Sequence, residues 1–133
     1  MDFSVRSYAA EDAEALGQVF YRAVREGANA RYSDEQVLAW SPEPPSGVVW
    51  RDRLSAADTV LAEQDNAPLG FMTLDEKGYL DLAFVVPEAM GTGVSDAIYA
   101  VLEGRARARG IATLTTQASL LAEPFFARHG WQV

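Results

Sequence analysis

The sequence contains no cysteine, a single histidine and no long uninterrupted run of apolar residues. Without cysteine the chain forms no disulfide and carries out no thiol chemistry, which fits a cytoplasmic protein. No segment approaches the roughly 20 consecutive apolar residues that a membrane-spanning helix needs. The first residues, Met1 to Arg6, also lack the basic and then apolar pattern of a secretory signal. We therefore predict a cytoplasmic protein that does not insert into a membrane.

Basic residues are scarce: 11 Lys and Arg stand against 19 Asp and Glu, for a net charge of -8. Because binding to the phosphates of DNA or RNA needs clustered basic side chains, this balance excludes a general nucleic-acid-binding function. Arg105, Arg107 and Arg109 are interpreted as the solvated end of a helix, where cations suit the helix dipole. The His, Asp and Glu residues show no metal-ligand spacing, so we predict no metal site.

The chain length of 133 residues is enough for one domain with a sizeable core and too short for two, so we predict a single domain over residues 1–133. Apolar residues recur at helical spacing in some segments and alternate or run together in others. The predicted helices are Glu11 to about Gly27, a short helix capped by Ser33 and Gln36, Val48 to Ala56, Thr92 to Arg109, and a last helix with Pro124 in its first turn. The predicted strands are Phe3 to Tyr8, Thr59 to Glu63, Leu69 to Leu74, Tyr79 to Val86, and Ile111 to Ala118.

The order of these elements predicts an α/β fold. Short turns at residues 65–68 and 76–78 join three strands into an antiparallel meander. The long helix that follows leads to a further strand, and such a strand-helix-strand connection makes the two strands parallel. We therefore predict a mixed sheet, an antiparallel meander followed by a βαβ crossover, with helices on both faces.

The segment from Val85 to Ser95 leaves the third strand of the meander, turns through two glycines and opens the long helix. The first backbone N–H groups of a helix have no partner inside it, and the helix dipole adds positive charge there. Gly91 and Gly93 let a phosphate approach the backbone closely. The turn is not a dinucleotide fingerprint, since Asp96 stands where its third glycine would be, and no Gly-Lys-Ser/Thr follows to make a P-loop. We interpret it as a site for an anion such as a phosphate.

Three stretches of the chain resemble the GNAT superfamily of N-acetyltransferases. Val85-Val86-Pro87, followed by the run Met90 to Ser95, is similar to the acetyl-CoA segment of that family, V-x-P and then Q/R-x-x-G-x-G/A. Phe125 to Trp131 is similar to a second family signature, an aromatic pair, a basic residue and H/L-G-aromatic. Arg31 to Gln36 resembles a bacterial subgroup. The resemblance covers nearly all of the chain and implies a GNAT-like fold and an acyl-CoA-dependent N-acyltransferase.

The resemblance implies that acetyl-CoA is the cosubstrate and that it lies along the third strand and the turn after it. The backbone from Ala83 to Val85 is expected beside the pantetheine arm, and the amides of Gly91 to Ser95 are expected to hold the pyrophosphate, with the Thr92 hydroxyl as an extra donor. The strands that carry Val85 and Thr115 are expected to splay apart and admit the thioester. The residues assigned to the cofactor are Ala83, Phe84, Val85, Met90, Gly91, Thr92, Gly93, Val94, Ser95, Ser119 and Phe126.

In the enzymes that this chain resembles, an amine attacks the acetyl carbon directly, a base removes the amine proton and an acid protonates the leaving thiolate. For the base we select Asp81, a carboxylate that interrupts an apolar strand; the alternative is that it pairs with a neighbour or with a helix N-terminus. Strand alternation puts Asp81 on one face with Tyr79, Ala83 and Val85. Many relatives place a tyrosine at the position of Phe126, which cannot donate a proton. Tyr79 is therefore the candidate acid, with water as the alternative source of the proton.

The resemblance implies that the acceptor is a primary amine of a small molecule or peptide. Tyr32 and Trp40 are candidates to line its pocket, because relatives place this helical region over the substrate cleft. The predicted function is N-acetyl transfer from acetyl-CoA. The alternative is a non-catalytic acyl-CoA-binding module or sensor, which Met90 and Phe126 favour because they replace a Gln or Arg and a Tyr of the family pattern.

Relatives usually continue beyond Val133 with a further strand of the sheet, so we expect either a short member of the family or a C-terminal strand that is missing from this sequence. A missing strand leaves a bare sheet edge, and pairing with a second copy of the chain is one way to cover it. The resemblance therefore also leads us to expect a homodimer.

Overall fold

Five strands follow the apolar runs of the sequence and form one mixed sheet. A computed structural model describes residues 2–27, 43–116, 126–127 and 129–131. In these residues the strands are β1 (Ser4–Ser7), β2 (Asp58–Gln64), β3 (Ala67–Leu74), β4 (Tyr79–Val85) and β5 (Thr115–Thr116), in that spatial order. Strands β1 to β4 pair antiparallel, whereas β4 and β5 pair parallel. The predicted meander and parallel crossover are both confirmed.

The described residues form three α-helices: α1 (Ala13–Arg22), α2 (Gly47–Ala56) and α3 (Val94–Ala108). Helix α1 is preceded by the 3-10 turn Ala10–Asp12 and continues as a π-helical segment, Ala23–Gly27. The helix predicted from Glu11 to Gly27 is therefore present, although its helical type changes along its length. None of these helices has both the length and the apolarity to cross a membrane. The helix predicted after Ser33 and most of the one predicted from Pro124 lie outside the described residues.

The core lies on both faces of the sheet, which confirms helices on both sides. On one face, α1 and α2 cover an aromatic cluster. The ring centroids of Phe20 and Phe84 are 4.6 Å apart there, and those of Trp50 and Phe71 are 6.2 Å apart. Trp50 Nε1 donates to the carbonyl of Ala13 at 2.8 Å, which satisfies the buried indole and joins the two helices. On the other face, α3 packs on β2 and β3. Its buried side chains are Val94, Ile98, Tyr99, Leu102 and Ala106.

The strand predicted from Ile111 to Ala118 begins later than expected. In the structure β5 starts at Thr115, whose register partner is Tyr79, the first residue of β4. In the parallel register, residues 111–114 lie beyond the first residue of β4, so they have no strand partner among the described residues. The prediction was wrong for these four positions because apolar character alone does not reveal where a partner strand begins.

The turn predicted at residues 65–68 is also shorter in the structure. The ladder between β2 and β3 already pairs Gln64 with Ala67, so Asp65 and Asn66 alone make the turn. Their φ angles are 52° and 66°, which is the left-handed conformation that a two-residue hairpin loop requires. Short polar side chains such as these tolerate that conformation better than other non-glycine residues do.

Leu54 of α2 tests the core beneath that helix, because its side chain is 0% exposed. Leu54→Ala removes buried carbons and leaves a cavity, and we expect it to lower the free energy of unfolding by about 2–5 kcal/mol. Urea unfolding followed by circular dichroism measures the loss. The control is Val49→Ala in the same helix, where Val49 is 80% exposed and a change within about 0.5 kcal/mol is expected. Equal stability of the two variants would contradict this account of the core.

A charged network ties β1 to β2 and to the start of α1. Arg6 Nη1 and Nη2 each donate to Asp12 at 2.8 Å, and Arg6 Nε donates to Glu63 at 2.9 Å. The amide of Ala9 also donates to Asp12, at 2.8 Å. The hydrogen bonds from Arg6, and then that from Ala9, hold the pKa of Asp12 below its ordinary value of 3.8, against the opposing effect of burial. The ionised carboxylate is thus the form that the fold stabilises.

The lowered pKa of Asp12 makes part of the stability depend on pH. A depressed pKa contributes stability that is present above the ordinary value of 3.8 and is lost as the pH falls through the lower value of the folded state. We expect Asp12→Asn to flatten the fall in urea midpoint between neutral pH and the acid range. Glu11→Gln, which removes the same charge from the exposed neighbouring residue, serves as the control and should keep the wild-type pH profile. Identical profiles for wild type and Asp12→Asn would remove this carboxylate from the acid response.

Candidate active site at the end of strand β4

The turn between β4 and α3 has an open outer side. The chain passes from β4 through the 3-10 turn Pro87–Ala89 to two glycines, Gly91 with φ 75° and Gly93 with φ 90°. A Cβ atom added at either glycine would meet no other atom within 4 Å. Packing therefore does not demand glycine at these positions, whereas the left-handed backbone does. The turn exposes its main chain, as the sequence predicts.

Four amides of this turn are available to an anion. The N–H groups of Gly91, Gly93, Val94 and Ser95 donate no hydrogen bond within the part of the chain that the structure describes. They lie at the start of α3, where the helix dipole adds partial positive charge. Thr92 differs from them, because its N–H and its hydroxyl both donate to the carbonyl of Ala89, at 3.3 and 2.5 Å. The expected extra donor at Thr92 is thus already used inside the turn.

The next candidate residues lie along β4, whose amides alternate between its two edges. The N–H of Leu82 donates to Thr73 Oγ1 of β3 at 3.0 Å, and the N–H of Val86 donates to the carbonyl of Leu69 at 2.9 Å. The amides of Ala83 and Val85, which lie between these positions, therefore face the opposite edge.

That opposite edge of β4 is paired over only part of its length within the described residues. Among the described residues β5 pairs only with Tyr79 and Leu80 of β4. The edge that carries the amides of Ala83 and Val85 therefore has no strand partner in the described part of the chain. The amides of Ala83 and Val85 are thus main-chain donors that no described strand uses, and the splay between β4 and β5 stays a prediction.

A β-bulge gives the side chain of Asp81 a direction that differs from the one predicted by strict strand alternation. Thr73 pairs with Leu82 and Leu74 pairs with Leu80, so Asp81 is an extra residue of β4 without a partner on β3. Its carboxylate accepts hydrogen bonds from Arg53 Nε at 2.9 Å and from Arg53 Nη2 at 3.0 Å. Arg53 belongs to α2, which covers the face on which Phe84 lies, whereas alternation would put Asp81 and Phe84 on opposite faces. The bulge turns the carboxylate toward α2.

Tyr79 stands at the first position of β4, two residues before the bulge. It is half-buried, and its main chain is held by Asp75: the Tyr79 amide donates to Asp75 Oδ1 at 2.8 Å and the Asp75 amide donates to the Tyr79 carbonyl at 2.9 Å. Tyr79 and Asp81 therefore lie close in the strand, as the sequence predicts. The role of each in a reaction stays a prediction.

The position that carries tyrosine in many relatives holds a buried phenylalanine. Phe126 is 4% exposed, and its ring centroid lies 4.8 Å from that of Trp131. Trp131 Nε1 donates to the hydroxyl of Tyr99 on α3 at 2.9 Å. The phenylalanine is thus part of an aromatic cluster against α3, and burial raises the pKa of the Tyr99 phenol within that cluster.

Of the other predicted site residues, one is exposed at the turn and three lie outside the described residues. Met90 is 47% exposed at the turn, so its side chain does not belong to the core. Tyr32, Trp40 and Ser119 lie outside the described residues. In the described ranges, no group of three or more His, Cys, Asp or Glu side chains has the arrangement of a metal site.

Sequence reasoning missed a further ion pair that holds the turn in place. Arg22 at the end of α1 donates from Nη1 and Nη2 to the two carboxylate oxygens of Glu88, at 3.0 and 2.8 Å, and from Nε to Glu26 at 2.9 Å. The bonds from Arg22 lower the pKa of Glu88 below its ordinary value. The pairing of Arg22 with Glu26 has a sequence signal, since the two are four residues apart on a helix. The pairing with Glu88 has none, because 66 positions separate the residues.

The described residues form an α/β fold with main-chain amides that have no acceptor among them at a helix start, beside a sheet edge that has no partner strand among the described residues. A family model described as an acetyltransferase (GNAT) domain matches residues 28–133. Over 131 residues the chain is 33% identical to the uncharacterized N-acetyltransferase YafP of Escherichia coli K12, an alignment that covers 98% of this chain and 82% of the relative. The chain belongs to the GNAT family of acetyltransferases.

Solved structures agree with this family. The GCN5-related N-acetyltransferase of Rhodopseudomonas palustris is 32% identical to this chain, with a TM-score of 0.88 over 97% of this chain and 82% of the other. The PaiA N-acetyltransferase of Thermoplasma acidophilum, solved in complex with coenzyme A, is 18% identical, with a TM-score of 0.79 over 100% of this chain and 91% of the other. At that low identity the second comparison supports the fold alone.

Gly93 tests the anion site. Gly93→Ala places a side chain at φ 90°, which strains the turn, and we expect the displaced amides to weaken binding of coenzyme A about 10-fold or more. Isothermal titration calorimetry measures the affinity. The matched control is Gly104→Ala, in the middle of α3 where an added Cβ meets nothing within 4 Å. That change should leave the affinity unaltered and raise the unfolding free energy by up to about 1 kcal/mol. Equal affinity of the Gly93 variant and wild type would rule out the turn as the binding site.

Proposed function

We propose that this protein transfers the acetyl group of acetyl-CoA to the primary amine of a small molecule or peptide by direct attack of the amine. The observation that carries the proposal is the group of amides from Gly91 to Ser95, four of which donate no hydrogen bond within the described residues. Unpaired amides at a helix start favour a phosphate ligand. Membership of the GNAT family connects that ligand with acyl transfer.

The residues present fit coenzyme A. The diphosphate would be held by the amides of Gly91, Gly93, Val94 and Ser95, whose open side accepts a bulky ligand because no atom lies within 4 Å of a Cβ built on either glycine. The amides of Ala83 and Val85 would donate to the pantetheine arm and to the thioester carbonyl along the open edge of β4. The structure of PaiA N-acetyltransferase in complex with coenzyme A supports this assignment by similarity of fold. Ser119 and Phe126 are proposed to contact the same molecule.

Acetyl-CoA supplies an activated acyl group, and the protein supplies position and proton transfer. Hydrogen bonds from Arg53 orient the carboxylate of Asp81 at the bulge, beside the edge to which the thioester is assigned. We assign to Asp81 the removal of a proton from the attacking amine. Tyr79, or water in its place, returns a proton to the leaving thiolate. Tyr32 and Trp40 are proposed to line the acceptor pocket.

A second candidate function is a module or sensor that binds acyl-CoA without turnover. Its specific support is Phe126, a buried side chain that has no proton to donate at the position where many relatives carry tyrosine. The exposed Met90 in place of Gln or Arg points in the same direction. A cytoplasmic location and a homodimer also remain predictions from the sequence.

Asp81→Asn separates the two functions. For the enzyme we expect a fall in kcat of about 100-fold, since a general base contributes on this scale, with the affinity for coenzyme A changed by less than about 2-fold. Release of the coenzyme A thiol, assayed across a panel of primary amines, measures the rate, and calorimetry measures the affinity. Glu76→Gln is the control, because it removes an equal charge from an exposed turn next to β4.

The two assays give different results for a transferase and for a binding module. Coenzyme A binding without thiol release in wild type, for every amine tested, would favour the binding module. Turnover that is unchanged by Asp81→Asn would remove this carboxylate from the mechanism and leave the transferase itself intact.

A further inference from the structure

We infer that the acceptor is a free α-amino acid, whose ammonium group binds Asp81 and whose carboxylate binds Arg53. This inference rests on the proposed transferase function and names the substrate class of the same site. It is drawn from the contact between an acidic residue of the bulge in β4 and a basic residue of α2.

The geometry of the pair leaves binding capacity on both partners. Arg53 contacts Asp81 side-on, through Nε at 2.9 Å and Nη2 at 3.0 Å. Arg53 Nη1 donates to no group among the described residues. An arginine side chain that uses Nε and one terminal nitrogen still presents its other terminal nitrogen to a second carboxylate. Each oxygen of Asp81 likewise keeps lone pairs that accept from an ammonium group.

Both partners are accessible to a small molecule. The side chain of Arg53 is 49% exposed and that of Asp81 is 34% exposed. An ion pair that served only to hold α2 on β4 would contribute little at this exposure, because water screens it. A ligand that carries both an ammonium group and a carboxylate can instead bind beside this pair. Its ammonium group then lies against Asp81 and its carboxylate against Arg53.

The position of the pair suits the proposed reaction. Asp81 lies two residues before Ala83, about 7 Å along the strand, and the amide of Ala83 faces the open edge of β4. An amine held by Asp81 is therefore near the segment assigned to the thioester. The carboxylate of the same molecule then points toward α2 and away from that segment.

The charges of the site discriminate between classes of amine. The guanidinium of Arg53 repels a simple ammonium ion, which must compete with it for Asp81. In an α-amino acid a single carbon separates the ammonium group from the carboxylate. The ammonium group can therefore contact Asp81 while the carboxylate contacts the neighbouring Arg53. The amine of a peptide N-terminus lacks a carboxylate at that spacing.

The balanced step is the same for any acceptor. The ammonium group loses a proton, its nitrogen attacks the carbonyl carbon, the C–N bond forms and the C–S bond breaks. The nitrogen loses a second proton as the amide forms, and the sulfur takes up one proton. One acetylated amino acid, one coenzyme A thiol and one net proton result.

The test compares three acceptors of equal side-chain shape: leucine, leucinamide and 3-methylbutylamine. With wild type we expect kcat/KM for leucine to exceed that for the other two by about 10-fold or more, as for a site built to pair a charged group. Arg53→Gln should lower the value for leucine by about 10- to 100-fold more than it lowers the values for the other two, which also depend on the orientation of Asp81. Arg51→Gln, on the same helix and exposed, is the control and should behave as wild type. Thermal unfolding checks that each variant is folded.

Three results would overturn the inference. One is a wild-type enzyme that acetylates the two carboxylate-free amines, or a short peptide N-terminus, as well as it does leucine. Another is an equal loss for all three acceptors in Arg53→Gln, which would make Arg53 a positioning residue for Asp81 alone. In both cases acetyl transfer itself stands, so the proposed function survives.

Absence of turnover with every acceptor would instead count against the proposed function, and binding then decides the inference separately. Calorimetric titration of leucine into the protein saturated with coenzyme A should give a heat of binding that Arg53→Gln abolishes. Failure of wild type to bind leucine in that titration is the third result that overturns the inference.

Discussion

The first turn of α3 has more backbone donors than the described residues satisfy, and the candidate site depends on this imbalance. Val94 and Ile98 are 0% exposed and fix the helix against the sheet, so the helix start cannot move to find partners. Gly93 ends the preceding turn in a left-handed conformation, and residues 91–93 of that turn are exposed. A rigid set of donors that faces solvent binds an anion without first having to be ordered.

Strand β4 joins the candidate anion site and the residues that we propose for proton transfer in one structural unit. It runs directly into the turn, so the amides of Ala83 and Val85 and those of the turn follow one another along a single path. The bulge at Asp81 interrupts the pairing with β3, and Thr73 Oγ1 compensates by accepting the hydrogen bond of the Leu82 amide. The bulge thereby turns the Asp81 carboxylate toward α2 without leaving the amide of Leu82 unsatisfied.

Ion pairs between elements that are distant in sequence hold the surroundings of this path. Arg22 joins the end of α1 to the turn before Gly91 through Glu88, and Arg53 joins α2 to the bulge through Asp81. Arg105 near the end of α3 contacts Asp58 at the start of β2 at 2.6 Å. Exposed pairs of this kind contribute little to stability. We infer that these pairs orient the segments of the candidate site. Arg53 and Asp81, which pair with each other, are also the two residues that we assign to binding of the acceptor.

The sequence by itself determined the order of the described elements, the two buried faces of the sheet and the glycine turn before α3, because these depend on apolar period and on glycine at a helix start. Both signals are local: Gly91 and Gly93 predict the turn wherever the rest of the chain lies. Only the tertiary structure decided the start of β5 at Thr115, the bulge at Asp81 and the pairing of Asp81 with Arg53. The ion pair joins residues 28 positions apart and the contact between β4 and β5 joins residues 36 apart, and period-two alternation has no means of marking an inserted residue. The direction of the Asp81 carboxylate was therefore settled by pairing with β3 and α2.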